Sequence, residues 1–496
     1  MRTIEKYAGE ENYPDSARDI LPQSTSGVLC VDLDGTVLKT DLVWECIISL
    51  IKLQPSALLL LPFWLIRGRG ELKRQLAERA RLDMSTMPYR TDVLAFLAMQ
   101  RRQGRHIALV TASDSSLAER VASHLGLFDE VHGTRQGRNL KGREKAALLL
   151  AKFSSRGFDY IGDSYADLPV WKAARAGYVV GNKDLARKVA SIARVEGVFE
   201  CKSASVLSWF RALRGHHWAK NMLLFLPLLL SHKLDNRAFV ATGIGFLLFS
   251  LCASSIYILN DLLDLHSDRA HPWKAKRPFA SGEASVPAGL MISTLLVAAS
   301  IAIGFWLNTA FSCVLAAYVI TTMWYTVQLK RVPLVDVFVL SGFYSIRIWA
   351  GSVITSVPLS DWFLAFSFFF FFSLATAKRY SELLHAGELV QTGNSGRAYT
   401  QGDRDLFVHL GIGSSFSAVL ILALYVHSNE VLSLYRKPGL LLLICPVILY
   451  WLSRLWFRAN RGELDEDPVV LSIRDPVSYA IAAAILVVLF LSSYSG

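Results

Sequence analysis

Cysteine is scarce: six in 496 residues, none at a metal-binding spacing. Cys30, Cys46 and Cys201 fall in the polar N-terminal part, and Cys252, Cys313 and Cys445 in apolar stretches. Neither a disulfide framework nor a cysteine–zinc site is expected. His216, His217 and His271 also lack a metal-ligand pattern. The first residues, Met1 to Ser26, carry charges but no apolar core, so no signal peptide is expected there. Charged residues make up only 19% of the chain, its net charge is +11, and Lys and Arg mark the loops beside the apolar runs. Topology and anionic lipid account for such a charge, and no nucleic-acid partner is expected.

The apolar content is high and unevenly spread: 52% of residues are hydrophobic, and the mean hydropathy is +0.35. About the first two hundred residues read as a soluble protein. From about Asn221 onward, stretches long enough to cross a bilayer core recur. Nine spans are expected, near 218–233 (the shortest), 238–259, 287–306, 309–328, 334–354, 360–378, 407–427, 437–456 and 476–495. Lys and Arg concentrate in the connections near 260–286, 329–333, 379–406 and 454–475. The positive-inside rule therefore places these loops and the N-terminal part on the cytoplasmic side of the inner membrane.

The end of the second expected span is the most informative stretch. Asn260, Asp264 and Asp268 recur every four residues, and Asp261 precedes Asp264 by three, so a helix would gather them on one face. Such hard oxygen ligands suit Mg²⁺, which takes one or two carboxylates and leaves room for substrate phosphates. Arg269, Lys274, Lys276 and Arg277 follow, cations suited to phosphate oxygens. The pattern describes a site for a phosphorylated substrate handled beside lipid.

A second chemistry lies upstream. The β-rich run Val28-Leu29-Cys30-Val31 delivers Asp32-Leu33-Asp34-Gly35-Thr36, two carboxylates able to act as nucleophile and acid/base. Ile107-Ala108-Leu109-Val110 then leads into Thr111-Ala112-Ser113. Lys145 opens a helical pattern, and Tyr160-Ile161 runs into Gly162-Asp163-Ser164-Tyr165-Ala166-Asp167. In this order the four motifs resemble the phosphatase branch of the haloacid dehalogenase (HAD) superfamily, over about residues 27–200.

The resemblance implies an α/β Rossmann-like domain with a helical cap, Asp32 as nucleophile and Asp34 as acid/base. It implies Thr111 and Lys145 on the phosphoryl group, with Lys141 the alternative lysine. Mg²⁺ would be held by Asp32 and Asp163, with Asp34 and Asp167 completing the acidic set. The cap would span about 41–105. Its run Ala57-Leu58-Leu59-Leu60-Leu61-Pro62-Phe63-Trp64-Leu65-Ile66, followed by Arg67, Arg69, Lys73 and Arg74, is either a packing face or an interfacial segment.

From about Arg214 to the C-terminus, the spans and the NDxxDxxxD cluster resemble the UbiA superfamily of intramembrane prenyltransferases. That resemblance implies an all-α transmembrane domain over 214–496, reached through a linker at 201–213 after a 1–26 extension. Arg214, Trp218, Lys220 and Asn221 fit its entrance segment.

The chain departs from the usual members where they carry a second Asp-rich motif: it has Ala377-Lys378-Arg379-Tyr380-Ser381-Glu382. The extension Asp268-Arg269-Ala270-His271-Pro272-Trp273-Lys274-Ala275-Lys276-Arg277-Pro278, with Tyr325, Lys330, Asp336, Gly342, Arg347 and Gly351, looks like the decaprenyl-phosphate phosphoribosyltransferase branch. By that resemblance Asp261, Asp264 and Asp268 would hold Mg²⁺. Asn260, Arg269, His271, Lys274, Arg277, Tyr325, Lys330, Arg347, Lys378 and Arg379 would bind polyprenyl phosphate and phosphoribosyl diphosphate. Asp336 and Arg347 could instead be a structural pair within the bundle.

Together the two halves suggest consecutive steps toward a polyprenylphosphoryl ribose, a precursor of arabinan in the cell envelope. The alternatives are an aromatic prenyltransferase, for which the missing second Asp-rich motif is unfavourable, and a HAD domain with a regulatory role only. Lipid chain length and oligomeric state stay open.

Overall fold

The computed structural model describes residues 27–135, 139–154, 157–201, 205–231, 235–386, 399–464 and 468–493. The 1–26 extension, part of the linker and much of the basic connection 379–406 lie outside these residues. By internal contacts the chain separates into two compact units. One combines the N-terminal part, to Ala212, with Ile258–Ile292, and the other holds Leu213–Tyr257 and Ser293 onward.

The first unit is built on six parallel strands, β1 (Val28–Val31), β2 (Ile107–Asp114), β3 (Glu130–Thr134), β4 (Phe158–Gly162), β5 (Ala176–Gly181) and β6 (Val195–Glu200), in the order β3-β2-β1-β4-β5-β6. Central β1 and β4 are buried at every residue, as strands covered on both faces are; β1 is wholly apolar, and the one charge on β4, Asp159, is paired with Arg105 and Arg175. The order reverses at β1, so the loops after β1 and β4 open into one crevice, where α/β sheets bind ligands.

Four helices lie between β1 and β2: α1 (Leu42–Leu53), α2 (Leu61–Ile66), α3 (Arg69–Arg79) and α4 (Thr91–Arg102). Asp41 caps α1, its side chain accepting from Val43 N–H. The apolar faces of all four helices join Leu29, Val31, Leu109 and Ile161 in one core.

The second unit is helical. Eight helices among the described residues are long and apolar enough to cross a membrane: Asn236–Leu263, Val286–Leu307, Thr309–Val327, Val335–Thr355, Asp361–His385, Gln401–Val426, Pro438–Asn460 and Pro476–Ser493. They account for eight of the nine expected spans, and they define a multi-pass membrane protein. The ninth, near 218–233, is instead, in its described part, a 3-10 helix, Gly215–Phe225, followed by a five-residue α-helix, Leu226–Leu230, with Pro227 in its first turn. That stretch carries buried Lys220 and Asn221. It packs closely on Val335–Thr355, where a Cβ on Gly351 would sit 2.0 Å from the Leu224 carbonyl oxygen. Only glycine permits that approach.

Candidate active sites

The strand ends bring the four N-terminal motifs together. Asp32 is fixed by its backbone: its N–H donates to Ile161 O at 3.0 Å, and its Oδ1 accepts from Leu33 N–H at 2.8 Å. Gly35 turns the chain immediately after it with φ of +74°, and a Cβ there would lie 1.9 Å from Asp163 Oδ2. Both demands select glycine. Lys145, from the helix Arg143–Phe153, is almost fully buried, its Nζ 2.9 Å from Asp32 Oδ2, 3.3 Å from Asp167 Oδ1 and 2.9 Å from Tyr160 Oη. Lys141, the alternative, is exposed.

Asp34 lies beside the nucleophile position and accepts from Leu42 N–H at 2.9 Å and from the Ser113 hydroxyl. Thr111 is fully buried on β2, and its Oγ1 accepts from Ser113 N–H at 3.0 Å. Asp163 accepts from Thr36 Oγ1 at 3.3 Å.

The electrostatics of this pocket are those of too many carboxylates in too little water. Burial, then Asp32 and Asp167, push Asp163 up to about 8. Burial and Asp32 push Asp167 up to about 7, against the pull of Lys145. Asp34 rises to about 7 through burial and the nearby Asp41, with Ser113 and Leu42 opposing. Burial lowers Lys145, but Asp32 and Asp167 outweigh it and the ammonium is held more firmly than usual. These are the conditions under which one carboxyl keeps a proton while its neighbour stays ionised.

Asp32, Asp163 and Asp167 each offer an oxygen within 4.8 Å of the others. Asp167 Oδ2 is buried with no hydrogen-bond partner among the described residues. A divalent cation with oxygen ligands fits that set.

The second carboxylate group is arranged differently. The helix Asn236–Leu263 passes into the short helix Leu265–Arg269 without losing its hydrogen-bond rhythm, Asp264 N–H donating to Asn260 O and Asp268 N–H to Asp264 O. Buried Asp261 and Asp268, seven residues apart, converge on one cation. Arg277 Nη1 lies 3.1 Å from Asp261 Oδ1 and 2.5 Å from Asp268 Oδ2. Burial raises Asp268, with Arg277 opposing.

Asp264, by contrast, lies 3.6 Å from Lys52 Nζ on α1. Asp261, Asp264 and Asp268 thus do not form one tight triad, although the first and last point at a common position. Arg269, expected at a phosphate, is buried against α1 instead, its guanidinium donating to both oxygens of fully buried Glu45 at 2.8 and 3.0 Å. Glu45 also accepts from Thr40 Oγ1 at 2.7 Å, within the loop that follows Asp34. His271 and Lys274 are exposed, and Asn260 is half-buried.

Within the helical unit, Arg379 is fully buried and forms a fork on Asp336, Nε to Oδ2 at 2.6 Å and Nη2 to Oδ1 at 2.9 Å. Its Nη1 reaches Glu382 at 2.6 Å, and the Tyr325 hydroxyl donates to Asp336 at 2.6 Å. Asp336 therefore does not pair with Arg347. Eleven residues apart on one helix, the two Cα atoms are separated by roughly 16 Å along the axis. Arg347 instead donates from Nε to Asn221 Oδ1 at 2.8 Å and lies over the rings of Phe249, Tyr318 and Tyr344. Lys330 and Lys378 are half-buried.

Several participants were given no role at this site by the sequence. Tyr160 lies two residues before a recognised motif. Lys73 reaches from α3 to Ala112 O at 2.6 Å and Asn139 Oδ1 at 3.0 Å. Glu45 carries no local signal.

The described residues thus combine a carboxylate-and-lysine site at the crevice of a parallel sheet with a set of membrane-length helices. Comparison with known proteins gives the families. Residues 222–474 match the UbiA prenyltransferase family and residues 29–172 match haloacid dehalogenase-like hydrolase. The chain belongs to the UbiA prenyltransferase family and carries a HAD domain ahead of its membrane domain.

It is 37% identical over 462 residues to y4nM, an uncharacterized protein of Sinorhizobium fredii, covering 92% of this chain and 89% of that one. It is 36% identical over 178 residues to decaprenyl-phosphate phosphoribosyltransferase of Mycolicibacterium smegmatis. That match covers 35% of this chain and 56% of the relative. Among solved structures, a UbiA homolog from Archaeoglobus fulgidus bound to GPP and Mg²⁺ aligns with 16% identity and a TM-score of 0.45, over 57% of this chain and 99% of that one.

Proposed function

We propose that the chain makes a polyprenylphosphoryl ribose in two steps. The membrane domain transfers 5-phosphoribose from phosphoribosyl diphosphate to polyprenyl phosphate, and the HAD domain removes the 5-phosphate. The observation that carries this reading is the similarity to decaprenyl-phosphate phosphoribosyltransferase, in a chain that has Lys378-Arg379 where prenyltransferases have carboxylates.

In the transfer, a lipid phosphate oxygen attacks C1 of the ribose as the C1–O bond to diphosphate breaks, and the diphosphate leaves with the bonding electrons. The acceptor is already anionic, so the step needs positioning and charge stabilisation more than a general base. Asp261 and Asp268 would hold Mg²⁺, which supplies stabilisation of the leaving charge. Arg277, released from the two carboxylates, would turn to a phosphate, with Lys274 and Lys378 as further cations. Arg379 holds Asp336 and Tyr325 in place.

In the second step Asp32 attacks phosphorus, and the bond to the ribose 5-oxygen breaks as Asp34 donates its proton to that oxygen. Asp34 then takes a proton from water, whose oxygen displaces Asp32 and yields inorganic phosphate. Lys145, 2.9 Å from Asp32 Oδ2, orients that carboxylate for attack. Mg²⁺ on Asp32, Asp163 and Asp167 would supply neutralisation of the phosphoryl oxygens. Both sites would face the cytoplasm, and their covalent linkage raises the local concentration of the first product at the second site.

The test is an assay of detergent-purified protein with Mg²⁺, polyprenyl phosphate and phosphoribosyl diphosphate labelled in the ribose, the lipids being separated by charge. Label should enter a lipid lacking the 5-phosphate, and in Asp32→Asn it should stay in the 5-phosphorylated form. Label absent from lipid in both proteins would refute the reading and direct attention to prenyl diphosphates with aromatic acceptors.

A further inference from the structure

The cap carries an apolar surface that stands exposed among the described residues. In the twelve residues Pro55–Ile66, Ala57 and Trp64 turn inward to the core, Trp64 only 5% exposed with the Arg79 guanidinium over its ring at 4.9 Å. Leu59, Leu60, Phe63, Leu65 and Ile66 turn outward, Leu59 at 83% and Ile66 at 84% exposure. The run is therefore split in function: one side packs the cap and the other meets the surroundings. Five clustered large apolar side chains are unusual on a surface bathed in water.

Charge at the rim indicates what covers them. Exposed Arg67 and Arg69 follow the run directly, Arg67 lying over the Phe63 ring at 4.2 Å. The acidic neighbours Glu71 and Glu78 are both engaged by Arg74. The rim thus presents cations beside leucine, phenylalanine and isoleucine, the pattern of an element seated at a bilayer interface. With prolines at 55 and 62 and only twelve residues, the run is too short to cross. The eight membrane-length helices of the same chain hold it permanently at a bilayer, so even a weak surface contact would be occupied.

We infer that the Leu59–Ile66 face of the cap docks into the headgroup region of an anionic bilayer, with Arg67 and Arg69 on lipid phosphates. This inference is independent of the two-step reaction.

Benzoylphenylalanine placed at Ile66 of the full chain, in vesicles of tritiated phosphatidylcholine with phosphatidylglycerol as the minor component, tests it directly. Irradiation should attach labelled lipid at position 66 and none at Lys183, an exposed control on the same domain. Arg67→Glu with Arg69→Glu should reduce the lipid adduct about tenfold. Because Leu59 and Ile66 are exposed, Leu59→Glu with Ile66→Glu should leave thermal melting in detergent unchanged. Attachment of position 66 to another segment of the chain, attachment to a second copy, or no adduct at all would each overturn the inference.

Discussion

Asp32 and Asp167 share a lysine, with Asp163 clustered beside them, whereas Asp261 and Asp268 share an arginine. In the first group three carboxylates face one ammonium, and two of them are pushed up toward neutrality. One oxygen there has no hydrogen-bond partner among the described residues. In the second group Arg277 reaches both carboxylates at once. The two clusters look alike as strings of aspartates, yet one is charge-frustrated without a divalent ion and the other is largely self-satisfied. The difference teaches that an acidic motif does not by itself define a metal site; the cation already present decides how much charge is left for one.

The largest effect should come from Asp32→Asn, which should lower phosphatase turnover by about 10⁴-fold or more. Phosphoribosyl transfer to lipid should be unaffected, and a parallel loss of transfer would break the separation of the two clusters. Next, Lys145→Met should cost about 3–5 kcal/mol of stability by stranding buried carboxylates. Saturating Mg²⁺ should recover part of that loss in a melting experiment, and equal losses with and without Mg²⁺ would argue against a metal there.

Arg269→Gln should destabilise by a similar amount, about 3–5 kcal/mol, because it leaves Glu45 buried and unpaired. Here Mg²⁺ should make no difference. Arg277→Gln should tighten divalent-ion binding by about tenfold, ~1.4 kcal/mol, by removing the competing cation. Mn²⁺ titration followed by electron paramagnetic resonance reads this out, and weaker binding would mean that Arg277 organises the carboxylates for the metal.

Smallest, Asp475 is held at about 2 by the Arg454 guanidinium, which donates to both of its oxygens at 2.7 and 3.0 Å. Its folded pKa lies below the ordinary 3.8, so its stabilisation is complete above that value and disappears as pH falls toward 2. Asp475→Asn should flatten this acid limb in thermal melts.

The carboxylates of the first cluster could be expected to meet because each follows a β-rich run, where position along the chain dictates position in the sheet. The lysine was harder to place: Lys141 and Lys145 differ by one helical turn, and only tertiary packing distinguishes them. The contact that Arg269 makes was hidden for a comparable reason. Its spacing suits a phosphate, but its partner Glu45 lies 224 positions away, and no local pattern announces it. The stretch near 218–233 matched a span in hydropathy, yet Pro227 and the buried polar pair Lys220 and Asn221 favour a different local geometry.

The inclusion of Ile258–Ile292 in the unit that contains the sheet has a practical corollary. A fragment ending at Ala212 would retain all six described strands and all four N-terminal motifs. It would nevertheless expose the surface on which Arg269 meets Glu45 and Phe279 stacks edge-on with Trp209. Such a truncation would carry an unanswered carboxylate at its cut face and would be expected to aggregate. Grafting the segment 258–292 back by a tether, rather than trimming the boundary residue by residue, is the rational route to a soluble, crystallisable half.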